Sequence, residues 1–187
     1  MRELAPLYEL LSRLLTHEVD GALLGALQEP GAAALFERLA PGFSGTSVDL
    51  EALAAEFAEL FLIPGGTPPF ASAWAPEGSP DELPERIATF IHRAMGALAV
   101  EQSGRAGRLS LDHAGLLCSL VARGLAGDDA EVELARHVRD EALAPWAPAF
   151  GAALEARATS PIYRATGALL VSLHAGGTEG STAGDAG

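Results

Sequence analysis

Lysine is missing from all 187 residues, and the twelve cations the chain carries are all arginine. Against them stand 25 aspartates and glutamates, for a net charge of −13. A nucleic-acid binder, or a protein held on an anionic membrane surface, needs a basic footprint that displaces counterions, and none is available here. The same negative field attracts basic peptides. Without lysine there is no Gly-x-x-x-x-Gly-Lys phosphate loop, and no G-x-S-x-G elbow appears either. The one cysteine, Cys118, excludes an internal disulfide and implies no oxidising compartment, so the expected location is the cytoplasm. No apolar run approaches the ~18 residues that span a bilayer. The opening MRELAPLYELLSRLL carries Glu3 and Glu9 and lacks a small-residue cleavage site, which argues against a secretory signal. Sustained period-two alternation is absent, which excludes a sheet, and no repeat of solenoid period is present.

What remains is helical. Leu4, Leu7, Tyr8, Leu11, Leu14 and Leu15 fall on one stripe at helical spacing. Asp20 is placed to cap a short helix over GALLGALQE, and Pro30 to open another that Pro41-Gly42 ends. Leu50, Leu53, Ala54, Phe57, Leu60 and Phe61 repeat the spacing. Ser79-Pro80-Asp81-Glu82 has the N-cap, proline and capping-box glutamate of a helix start, with Ile87, Phe90, Ile91, Ala94 and Leu98 behind it. After the polar EQSGRAGR link, residues 110–126 read as a further helix. Asp128 and Glu131 have capping-box spacing before VELARHVRDEAL, Pro145 and Pro148 bracket Trp146 at a corner, and Ser160-Pro161 opens the last helix. These patterns predict one all-α domain over residues 1–174, a single bundle of about eight to ten helices. The 175–187 tail, rich in Gly, Ser and Thr, has no core-forming residues and is expected to be disordered.

One stretch resists this pattern. ELFLIPGGTPPFASAW, residues 59–74, leaves a well-formed helix for a proline- and glycine-studded loop, and loops of this length in a compact domain are often functional. Phe70 and Trp74 either anchor the loop on the bundle or build a binding surface. Asp112-His113 is the most suggestive polar pair, because an aspartate can orient and charge a histidine for acid–base work. The plainer reading puts Asp112 in the first turn of a helix, where the dipole favours a carboxylate. His17, His92, His113, His137 and His174 are scattered, with no two at i, i+4, so no metal site is expected.

Taken in order, several pieces resemble the TorD/DmsD family of cytoplasmic molybdoenzyme chaperones, also called redox enzyme maturation proteins. They are Tyr8-x-x-Leu11-Ser12-x-Leu14-Leu15, Glu56-Phe57-x-x-Leu60-Phe61-x-x-Pro64-Gly65, Pro68-Pro69-Phe70-x-Ser72-x-Trp74, Asp112-His113, Trp146 with Phe150, and Ser160-x-x-Tyr163. The LFLIPGGTPPFASAW stretch looks closer to that branch than to the related nitrate-reductase chaperones. The resemblance implies an all-helical, non-enzymatic chaperone without a cofactor of its own. Such a chaperone binds the twin-arginine signal peptide, the apo catalytic subunit of a molybdopterin oxidoreductase, or both, until cofactor insertion, as a monomer or homodimer. It implies a peptide-binding region at Pro69, Phe70, Ser72, Trp74, Asp112, His113 and Leu116, with Asp112 as an arginine partner. Two positions depart from the family pattern: Leu117 and Ala71 stand where glutamates are typical. The rival readings are a small hydrolase or metal-dependent enzyme using Asp112 and His113, and a helical scaffold with no molybdoenzyme client.

Overall fold

The computed structural model describes residues 1–45, 48–74, 82–97 and 110–175. Among these residues there are nine α-helices and no strand, as the patterning predicts. They are α1 (Ala5–Thr16), α2 (Gly21–Gln28), α3 (Pro30–Leu39), α4 (Leu50–Phe61), α5 (Glu82–Ala97), α6 (Ala114–Ala126), α7 (Asp129–His137), α8 (Ala147–Arg157) and α9 (Pro161–His174). The proposed cap at Ser79, the 101–108 link and the 176–187 part of the tail lie outside the described residues.

The helix ends follow their local chemistry. Asp20 accepts the Leu23 amide, Ser160 accepts the Tyr163 amide, and Asp128 and Glu131 form a complete capping box at the start of α7. Each such cap supplies a partner to an amide that has none inside its helix. Two boundaries differ from the sequence reading. Helix α6 begins at Ala114, because residues 110–113 are held in an extended and turn conformation by the loop beside them. After His137 the VELARHVRDEAL helix widens into a π-helical turn, Val138–Leu143, which buries Val138, Ala142 and Leu143 at offsets of four and five. The Trp146 indole N–H donates to the Ala142 carbonyl at 2.6 Å, fixing the corner between the prolines.

One apolar core runs through the bundle. Tyr8, Leu11 and Leu14 of α1 are fully buried, as are Leu117, Leu120 and Val121 of α6, and these two helices pack together. Helix α8 packs on α9 at a crossing built from glycine. A Cβ added at Gly167 would stand 2.5 Å from the Gly151 carbonyl oxygen, and one at Gly151 would stand 2.7 Å from the Gly167 oxygen. Phe57 and Phe61 of α4 meet the Tyr163 ring of α9 at centroid distances of 6.4 and 5.8 Å. This contact joins two of the sequence pieces that carry the family resemblance.

Candidate functional site

The loop that leaves α4 turns on Gly65, whose φ of +86° is open to glycine at little cost. The Thr67 amide then donates back to the Leu60 carbonyl at 2.6 Å. Beyond it the chain pairs with the segment ahead of α6. Ala71 N–H donates to the Asp112 carbonyl at 3.0 Å, Ala114 N–H donates to the Pro69 carbonyl at 2.8 Å, and Phe70 and His113 face each other in an isolated antiparallel bridge.

Asp112 locks this pairing with its side chain. One carboxylate oxygen accepts the Ser72 amide at 3.1 Å, and the other accepts the Ser110 hydroxyl. Asp112 is only 7% exposed. Burial raises its pKa, but the hydrogen bonds from Ser110 and Ser72 outweigh that and hold it below the usual carboxylate range. The carboxylate that the sequence offers as an arginine partner therefore already has partners within the chain. It also lies ahead of the α6 N-cap, not in the first turn, so the helix-dipole reading of Asp112 is overturned.

His113 is the N-cap of α6. Its Nδ1 accepts the Gly115 amide at 3.0 Å, which requires an unprotonated Nδ1. Burial lowers its pKa to about 4, against the opposing pull of the Asp112 charge, so the ring is neutral at pH 7. The Phe70 ring meets it edge-on at 5.2 Å. The carboxylate is engaged with Ser110 and Ser72 and the imidazole Nδ1 with Gly115, not with each other. Cys118 is fully buried, and burial pushes its thiol pKa up, away from a nucleophilic thiolate. No group of three or more His, Cys, Asp or Glu among the described residues could hold a metal ion.

Of the seven residues expected to bind peptide, Pro69, Phe70 and Ser72 pair with the segment holding Asp112 and His113, Trp74 closes the same loop, and Leu116 follows in the first turn of α6. Ser72 is exposed, and Phe70 and Trp74 are partly buried. Pro69, Asp112, His113 and Leu116 are buried. Trp74 is anchored twice, through its indole N–H to the Pro68 carbonyl at 2.8 Å and through its ring against Phe150 at 5.8 Å. The neighbouring Leu62 and Ile63 are 66% and 54% exposed, a pair of large apolar side chains standing in solvent beside the loop. The departures at 71 and 117 also have a physical reason here. Ala71 and Leu117 are both fully buried in the core, where a glutamate would be a desolvated charge.

Sequence reasoning places Glu56 only within a family-like motif and gives it no role. It is buried in the middle of α4, and its Oε1 accepts the Thr159 amide at 2.6 Å, the Thr159 hydroxyl at 3.0 Å and the Ser160 amide at 2.9 Å. The signal was a lone glutamate on the apolar side of an amphipathic helix.

A helical bundle with a proline-aromatic loop clasped to the head of a buried helix is consistent with the all-helical fold of redox enzyme maturation proteins. The family model described as nitrate reductase delta subunit matches residues 24–152, more than half of the sequence. The chain belongs to that family, whose members are chaperones for molybdoenzyme maturation. No curated protein matches the chain. No helix among the described residues is long and apolar enough to cross a membrane.

Proposed function

We propose that this protein is a cytoplasmic chaperone of the TorD/DmsD type. In this reading it holds the twin-arginine leader, and through it the apo catalytic subunit, of a molybdopterin oxidoreductase until the cofactor is inserted. The observation that carries this reading is the clasped loop, which leaves Phe70 and Trp74 only partly buried on an acidic molecule, with Leu62 and Ile63 exposed where the chain leaves α4. A twin-arginine leader is a basic segment followed by an apolar one, so its receptor needs apolar side chains within a negative field. Ser72, Phe70 and Trp74 supply the contact surface. Pro69, Asp112, His113 and Leu116 are buried and act as positioning residues, with Asp112 fixing the loop through the Ser72 amide.

Binding of a synthetic twin-arginine leader, followed by Trp74 fluorescence in a Trp146→Phe background, tests the proposal. The wild type is expected to bind the leader at least tenfold more tightly than a scrambled basic peptide. Asp112→Ala is expected to weaken leader binding while the helical circular dichroism is unchanged, and Asp112→Asn, which keeps one acceptor oxygen for the Ser72 amide and can donate its NH2 to the Ser110 hydroxyl oxygen, to retain more of it. Equal binding of leader and scrambled peptide would defeat the reading.

A further inference from the structure

A cavity of about 240 Å³ opens between α4 and the head of α9, and its lining shares no residue with the clasped loop. It is smaller than the roughly 300–1,000 Å³ of small-molecule sites, so its size suits a single side chain and not a nucleotide or pterin. Phe43, Val48, Leu53 and Ile162 supply apolar walls. Glu56 lines the same cavity and is 9% exposed. All three donors that reach Glu56 converge on Oε1, and none of the described residues donates to Oε2. At the head of α9 the Ser160 side chain takes the Tyr163 amide and Glu56 takes the Ser160 amide, so both amides are already satisfied beside the cavity that Glu56 lines. Asp49 adds a second carboxylate to the lining, which among the described residues includes no arginine or histidine.

We propose that this cavity receives one basic side chain of a bound polypeptide, the alkyl stem lying on the apolar walls and the cationic head meeting Glu56 Oε2. An apolar pocket holding a buried carboxylate with an unpartnered oxygen is complementary to a cation on a hydrocarbon stem. The proposal does not depend on the leader reading, because a basic side chain from any segment of a partner would serve.

The test uses N-acetyl-arginine methylamide as the probe, with its neutral citrulline counterpart as control, titrated into isotope-labelled full-length protein. The arginine probe is expected to shift the amides of Leu53, Thr159 and Ser160 in a saturable manner, and the citrulline probe to bind at least tenfold more weakly. Glu56→Gln keeps an acceptor for the Thr159 and Ser160 amides but removes the charge, and is expected to weaken binding of the arginine probe tenfold or more. Ala52→Phe, at an exposed position on the cavity wall, is expected to block the probe without touching Glu56. Equal saturation by citrulline, shifts confined to other residues, or unchanged binding by both variants would each overturn the proposal. Because the probe is not a leader peptide, failure here is distinguishable from failure of leader recognition.

Discussion

His113 at the head of α6 and His174 at the end of α9 are 4% and 5% exposed, and burial is the main reason that the pKa of each is lowered to about 4. In the unfolded chain a histidine titrates near 6.5. Between those values the unfolded state binds protons that the native state refuses, so protonation favours unfolding. The stability these rings contribute is complete above pH 6.5 and falls as pH drops towards about 4. A tenfold difference in proton affinity is worth about 1.4 kcal/mol, so each ring accounts for at most roughly 3 kcal/mol over that window. Asp112 acts lower on the scale: its depressed pKa adds stability that is present above the ordinary aspartate value and lost as pH falls through the lowered one. Urea unfolding at pH 7.5, 5.5 and 4.5 should show a steady loss. His174→Phe, which removes the ring facing Tyr8, should flatten the slope by that histidine's share. A stability constant from pH 7.5 to 4.5 would show that the rings are not held neutral.

At the scale of elements, glycine separates two effects that sequence alone confounds. Gly25 on α2 and Gly167 on α9 are both helical glycines, and helix propensity favours alanine at either by up to about 1 kcal/mol. A Cβ at Gly25 meets nothing within 4 Å, whereas one at Gly167 meets the backbone of α8. Gly25→Ala should therefore raise stability by about 0.5–1 kcal/mol, and Gly167→Ala should lower it by about 1–3 kcal/mol because backbone cannot step aside. Thermal or urea unfolding of the two variants checks both signs. The helices themselves were legible because caps and apolar periodicity are local: Asp20, Asp128 with Glu131, and Ser160 each act within three residues. The start of α6 was not, because residues 110–113 are held by Pro69, Ala71 and Ser72, forty residues away, and no local signal reports that pairing. The π-helical turn escaped for a related reason, since its burial pattern departs from the regular helical period. At the candidate site, the motif residues Phe70, Ser72, Asp112 and His113 meet across the loop pairing, but burial divides them into exposed, partly buried and buried members, which no spacing rule foretells.

For the whole molecule, the net charge of −13 sets how a basic ligand arrives more than how firmly it stays. Field lines from carboxylates spread over the surface reach about 30 Å into 0.01 M salt but only about 8 Å at 0.15 M. Contacts with Phe70 and Trp74 act at van der Waals range and are insensitive to that change. Leader binding should therefore show an association rate that falls at least ~tenfold between these two salt concentrations, with a dissociation rate that changes much less. Stopped-flow mixing with Trp74 as the reporter measures both rates. The Phe70→Ala variant should behave in the opposite way, dissociating faster at either salt while its association rate keeps the wild-type salt slope. If salt instead acted mainly on dissociation, the arginines of the leader would have to be held by a desolvated carboxylate, either Glu56 in its cavity or Asp112 freed from Ser72 and Ser110, and Glu56→Gln and Asp112→Asn would tell the two apart.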